Sequence, residues 1–265
     1  MKSLFFLTAL WYDDSCLGRK TQKEGIAFMR KLKENLHLLR EEITPLEYLL
    51  WWAVRVCMLV YIIRQVRQAQ RAEDYVIPMF NALVSFSVFL ARMLFPRRSV
   101  LGKLSYRAQK YITLMVFAGS FIGNYLYLYD INNPLHYDWI LHAVSGVTIT
   151  MLGYHLLLAM TDGDPLAPKV VSCCSMGFSF FIMVAWEIME FCGDFLFGDN
   201  NQKYDWTVLL ESDPIYPLFS RGAPQMRQLP LLDTMADLLL AFVATLLTGV
   251  ALYFVLRCKA KKANG

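Results

Sequence analysis

The chain has 265 residues, 56% of them hydrophobic, with a mean hydropathy of +0.37 and a formal net charge of +4. A soluble domain runs about 45–50% apolar by a similar count, and here the excess is gathered into long runs, which excludes an ordinary soluble enzyme and reads as a polytopic membrane protein. Six cysteines at 16, 57, 173, 174, 192 and 258, with no CxxC pair, exclude a disulfide framework and a zinc finger, and nothing in the chain resembles a nucleic-acid-binding surface.

The chain starts MKSLFFLTALW, a Lys followed by a short apolar run. It is expected to be a short interfacial anchor, since no small-residue cleavage site follows it. Residues 22–43 carry Ile26, Met29, Leu32, Leu36, Leu39 and Ile43 at helical spacing, with Lys23, Arg30, Lys31, Lys33 and Arg40 mostly between them. Such a basic amphipathic helix suits an anionic membrane surface, the alternative being a helix packed on the protein itself.

Six apolar runs follow, at about 47–63, 75–95, 111–129, 139–160, 170–191 and 234–256. Each is long enough to cross a hydrocarbon core of roughly 30 Å at 1.5 Å per residue. The predicted fold is therefore all-α: a polytopic membrane helix bundle of about six transmembrane helices plus the amphipathic N-terminal helix. The expected organisation is a cytoplasmic segment over 1–46, a six-helix domain over 47–256 and a basic cytoplasmic tail over 257–265. No linker rich in Pro, Gly or Ser divides the chain. With the N-terminus inside, the inner segments hold eighteen Lys and Arg against six in the outer ones, so both termini are expected in the cytoplasm and the protein in the cell membrane.

That topology brings the acidic residues to one depth. Asp138 and His142 fall near the outer end of the fourth span, Glu187 and Glu190 near that of the fifth with Asp194 just beyond, and Asp233 and Asp237 at that of the sixth. Glu187, Glu190 and Asp194 are spaced i, i+3 and i+7, on one helix face. Carboxylates and one imidazole gathered this way cannot all stay ionised without protons or a cation, and facing helices in bundles build metal sites from such groups. The expected ligands of a divalent metal are His142, Glu187, Glu190, Asp237 and Asp194, with Asp138 or Asp233 as general base or orienting group. Oxygen-rich donors with one His do not choose among Mg²⁺, Mn²⁺, Ca²⁺, Zn²⁺ and Fe²⁺. Taken singly, Asp138 and Asp233 also suit helix N-caps, and His142 a hydrogen-bonded core position.

Other positions are read more simply. Arg55, mid-span, is expected to face the bundle interior and find a partner there. His155 lies roughly 20 Å deeper than His142 by helical rise and should not join its site. Gly146 and Gly153 form a small-residue stripe for close helix packing. Arg221 and Arg227 read as solvated loop charges.

Asp138-x-x-x-His142-x-x-x-Gly146, WEIMEF at 186–191 with Asp194, Phe197-Gly198 and Gln202, and Asp233-Thr-Met-x-Asp237-Leu together resemble a family of uncharacterised bacterial integral membrane proteins similar in pattern to the VanZ-like family. The resemblance covers about residues 110–256 and implies a multi-helix membrane protein without an established reaction. The loop over 203–232, with Pro214, Pro217, Pro224 and Pro230, is longer than the pattern's, and Ala241 and Ala244 stand where it carries a Gly.

Three functions fit these residues. The first is a metal-dependent enzyme acting at the outer face on a lipid or envelope precursor, with membrane lipid as its surroundings. The second is a proton- or cation-coupled transporter, against which the acids cluster at one end while carrier sites usually lie near the midplane. The third is a non-catalytic membrane scaffold.

Overall fold

The computed structural model describes residues 16–70, 75–126, 128, 137–162, 166–197, 201–202 and 229–264. The opening run and most of the 203–232 loop, with Arg221 and Arg227, lie outside them. The described residues form α1 (Cys16–Glu42), α2 (Pro45–Gln68), α3 (Val76–Ser85), α4 (Ser87–Leu94), α5 (Val100–Lys103), α6 (Tyr106–Val116) leading into a π-helical segment (Phe117–Tyr125), α7 (Tyr137–Met160), α8 (Pro168–Phe197) and α9 (Leu229–Asn264). Among the described residues, four helices are long and apolar enough to cross a membrane: Pro45–Gln68, Tyr137–Met160, Pro168–Leu196 and Asp233–Ala263. The apolar runs over 75–95 and 111–129 fold as interrupted helices.

α2 begins sharply because Thr44 and Glu47 form a capping box around Pro45. The Glu47 amide donates to Thr44 Oγ1 at 3.3 Å and the Thr44 amide to Glu47 Oε2 at 3.0 Å, so two amides at the helix start are satisfied.

The break between α3 and α4 falls at Phe86, whose φ of −122° and ψ of 13° leave the helical region. Ser85 Oγ donates to the Asn81 carbonyl at 2.7 Å, a back-bond that bends helices. The backbone groups freed at the break are met from outside. Arg55 Nη2 donates to the Ser85 carbonyl. Gln109 Nε2 donates to the Val84 carbonyl at 3.2 Å, and its Oε1 accepts the Val88 amide at 2.8 Å. Arg55 is buried, and its guanidinium lies over the Trp51 ring at 3.0 Å from the centroid. The partner expected for this mid-span charge is thus an orphaned carbonyl and an aromatic face, not the acidic cluster.

α1 packs on the protein through a polar edge. Lys31 Nζ donates to the Met93 carbonyl at 2.6 Å and the Phe95 carbonyl at 3.0 Å, covering the end of α4. Glu34 pairs with Arg97. Glu42 meets Arg92 at 2.9 Å and accepts the Tyr106 amide at the start of α6. Leu39 is buried with Trp51, Val88, Leu104 and Tyr106, while Ile26, Phe28, Met29 and Leu36 remain exposed. Of the two sequence-based alternatives, packing on the protein itself is seen along one edge, while an adjacent apolar face of α1 stays uncovered.

The other centre is the triplet α7, α8 and α9, which is held by small residues and hydroxyls. Gly146 on α7 sits so close to α9 that a Cβ there would stand 2.6 Å from the Ala241 carbonyl oxygen and 2.9 Å from Ala244 Cβ. The Gly146 carbonyl accepts Thr150 Oγ1 at 2.6 Å and lies 3.4 Å from both Ser179 Oγ and Thr245 Oγ1, which are 2.9 Å apart. Hydroxyls bonding across small-residue contacts substitute for the hydrophobic drive that lipid does not supply between helices.

Two ends of the bundle can be told apart. Lys103 pairs with Asp162, and Ser105 Oγ lies 3.1 Å from His155 Nδ1, so the starts of α2 and α6 share an end with the finish of α7. At the opposite end Tyr137 Oη donates to the Ala118 carbonyl at 2.8 Å, fixing the start of α7 against the π segment.

Candidate metal centre

The site is built at that second end, where α7 and α9 begin and α8 nears its finish. Asp138 and His142 are one turn apart on α7, so both face the same way. Glu187 comes from α8 and Asp237 from α9. His142, Glu187 and Asp237 are buried, Asp237 with 1% relative exposure, while Asp138 is half-buried.

The imidazole stands between carboxylates. His142 Nε2 is 3.6 Å from Asp138 Oδ1 and 3.7 Å from Asp237 Oδ2, and its Nδ1 is 3.6 Å from Glu187 Oε1. These separations exceed hydrogen-bond lengths. Donor atoms sharing one ion bound at about 2.0–2.2 Å stand about 3.0–3.6 Å apart, and one donor atom each from Asp138, His142 and Asp237 lies within 4.8 Å of the others. These three residues could therefore hold an ion, with some contraction of the group. Glu187 is on the other side of the ring. An ion at Nε2 lies beyond its reach, but its position suits accepting a proton from Nδ1–H, which would fix the tautomer and turn Nε2 toward the ion.

The remaining candidates divide. Glu190, on the face of α8 that carries Glu187, accepts Trp186 Nε1 at 2.7 Å and lies within electrostatic reach of Glu187, Asp138 and Asp233. It sits at the rim with Asp233 rather than in the buried group. Asp194 is occupied elsewhere: because α8 runs on to Phe197, its Oδ1 accepts the Asn201 amide at 2.7 Å and its Oδ2 the Gln202 amide at 2.9 Å. Gln202 Nε2 then donates to Thr234 Oγ1 at 2.9 Å, tying the chain beyond α8 to the start of α9. His155 lies at the far end, as its spacing predicts. Tyr137, Gln109 and the Ser179–Thr245 pair escaped the sequence reading, because a polar side chain inside an apolar run announces no partner.

Clustered donors of this kind can bind a divalent ion, polarise an oxygen on it, or hold and pass a proton. A family model described as "Predicted membrane protein (DUF2238)" matches residues 48–258 of the chain, a span that includes all four residues gathered here. The match supports an uncharacterised membrane family and does not confirm the likeness to the VanZ-like proteins. No curated protein and no solved structure matches the chain.

Proposed function

The chain belongs to the Predicted membrane protein (DUF2238) family, and we propose that in it Asp138, His142 Nε2 and Asp237 hold a divalent metal ion at the outer face of a six-pass bundle with both termini in the cytoplasm. Glu187 is the positioning residue, receiving Nδ1–H so that Nε2 meets the ion. Glu190 and Asp233 at the rim supply the proton acceptor for a water or substrate hydroxyl that the ion polarises. The substrate class is a lipid or envelope precursor, because the cluster lies at the end of membrane-length helices, where an amphiphile presents its polar part. Asp194 is left out of the ligand set, both its oxygens being bound to backbone amides.

One observation carries this reading. Carboxylates from two helices nearly a hundred residues apart, Asp138 and Asp237, stand 3.6 and 3.7 Å from one imidazole nitrogen at a membrane helix end, and one donor atom from each of the three residues lies within 4.8 Å of the others. Ionisable groups placed so are costly unless they serve a function or are compensated. Metal analysis of the purified protein tests it: one equivalent of a divalent ion in wild type and a clear loss in His142→Ala are expected. Equal and negligible metal in both refutes it.

A proton- or cation-coupled carrier is the second reading, favoured by the imidazole lying between carboxylates on both of its nitrogens. It predicts a pH-dependent melting point abolished by His142→Ala and indifferent to chelators.

A further inference from the structure

A cavity lies at the end of the bundle opposite the candidate metal centre, where α1 finishes and α2 and α6 begin. It is a cleft of about 500 Å³ whose charged lining comprises Arg40, Glu41, Glu42, Glu47, Arg107 and Lys110. The lining is balanced in formal charge but not in satisfied charge. Its carboxylates already have partners: Glu42 meets Arg92 and the Tyr106 amide, Glu47 caps α2 through Thr44 and lies 3.4 Å from Lys110, and Glu41 is 3.4 Å from His37. Its cations are less engaged. Among the described residues Arg40 has no ion-pair or hydrogen-bond partner. Arg107 donates only its Nε, to the Glu42 carbonyl at 3.1 Å, so both its terminal nitrogens remain available. The unmet demand is for an anion, and guanidinium groups match the paired oxygens of a phosphate.

The surroundings identify the carrier of that phosphate. The cleft opens at the start of α2, a helix of membrane-crossing length. Immediately along α2, Leu46, Leu49 and Leu50 are 65%, 66% and 56% exposed, an apolar surface fit for acyl chains. The exposed Ile26, Phe28, Met29 and Leu36 of α1 belong to this same end. A polar cleft whose guanidinium groups are less engaged than its carboxylates, beside an apolar helix face, is complementary to an amphiphile with an anionic head.

We propose that this cleft seats the phosphate of an anionic phospholipid headgroup, held by Arg40 and Arg107 with Lys110 alongside, its acyl chains lying against Leu46, Leu49 and Leu50. The site is independent of the metal centre and stands or falls separately. The test uses full-length, delipidated protein in detergent, with phosphatidylglycerol, phosphatidylcholine or inorganic phosphate added in separate arms. Phosphatidylglycerol should raise the melting temperature and be retained in native mass spectrometry, whereas phosphatidylcholine and inorganic phosphate should do neither. Arg40→Gln should weaken phosphatidylglycerol binding about tenfold, the usual scale for one charge-assisted contact, and Arg40→Lys should recover part of it. Arg40 is exposed and makes no contact the fold requires, so the unliganded melting point should not move. Equal retention of the two lipids by wild type, or undiminished phosphatidylglycerol binding by Arg40→Gln, overturns the proposal. Protection by inorganic phosphate equal to that by lipid assigns the cleft to free phosphate instead.

Discussion

Gly146→Ala should damage the metal centre without touching it. Gly146 is one turn beyond His142 on α7, and Ala241 is one turn beyond Asp237 on α9. A Cβ at Gly146 would stand 2.6 Å from the Ala241 carbonyl oxygen, about 0.8 Å inside the 3.4 Å at which ordinary contact begins, and 3.1 Å from the Thr245 amide nitrogen. Both are backbone atoms, and the third neighbour, Ala244 Cβ at 2.9 Å, has no rotamer to move, so the helices themselves must part. Overpacking of this kind costs about 1–3 kcal/mol. Because the wedge lies one turn from His142 and Asp237, the parting widens their 3.7 Å separation, and a metal bond tolerates little of that: displacement by a few tenths of an ångström leaves the range of workable metal–ligand distances. Metal affinity should therefore fall together with stability.

Gly177 on α8 is the internal control, for a Cβ there would meet nothing within 4 Å. Gly177→Ala should be neutral or stabilising by up to about 1 kcal/mol through helix propensity. Gly249 is an intermediate case, because its close neighbour is the flexible end of Met176, which can move aside. Melting in detergent with and without added metal, read for all three variants, gives the expected order Gly146→Ala, Gly249→Ala, Gly177→Ala from most to least damaging. A Gly146→Ala protein that melts and binds metal like wild type would refute the claim that close packing of α7 on α9 sets the site geometry.

The remaining predictions probe the site and its frame. A chelator should lower the melting point of wild type, one particular divalent ion should restore it, and the stabilisation should be about 2.7 kcal/mol at a hundredfold excess over Kd; Asp237→Asn should abolish the response. Glu187→Gln should retain metal at about 10–100-fold lower affinity, the usual cost of losing the group that orients a ligating imidazole, and a complete loss equal to that of His142→Ala would make Glu187 a ligand after all. Asp194→Ala should lower stability while leaving the chelator response intact, because its carboxylate holds Asn201 and Gln202 rather than an ion. Arg55→Leu should cost about 1–3 kcal/mol by leaving the buried Ser85 carbonyl only the long 3.4 Å contact from Gln109 Nε2, with unchanged metal content. In a background free of native cysteines, a thiol at position 201 should react with an impermeant reagent from outside and one at position 98 only from the cytoplasm.

What the sequence made legible follows from the range of each signal. Helical spacing is local, so the pairing of Asp138 with His142 and of Glu187 with Glu190 could be read directly, and run lengths with the Lys and Arg distribution brought three helix ends to one depth. Rotation about each helix axis is not local. No spacing within α8 reveals that Glu187 meets the Nδ1 side of the imidazole while Asp237 meets the Nε2 side, the difference on which the proposed division into orienting residue and ligand rests. Asp194 was drawn into the ligand set by its i+7 spacing, but α8 continues to Phe197 and returns the chain so that Asn201 and Gln202 offer their amides to it. Likewise the run over 75–95 reads as one span, since the break at Phe86 depends on Arg55 and Gln109 arriving from other helices to satisfy it.

The same distinction explains why Gly146 matters beyond packing. Lacking a side chain, it lets α9 approach until Thr245 reaches the Gly146 carbonyl, and Ser179 of α8 joins the same acceptor at 3.4 Å. One residue thus registers all three helices that carry the donors, through groups within eight residues of His142 on α7, Glu187 on α8 and Asp237 on α9. A site assembled from three separate helices needs its helices fixed both axially and in rotation, and a carbonyl shared by two hydroxyls fixes both in a way that lipid-facing leucines cannot. The motif Asp-x-x-x-His-x-x-x-Gly is therefore a single device: the first two residues supply donors, and the third holds the remaining helices where their own donors meet them.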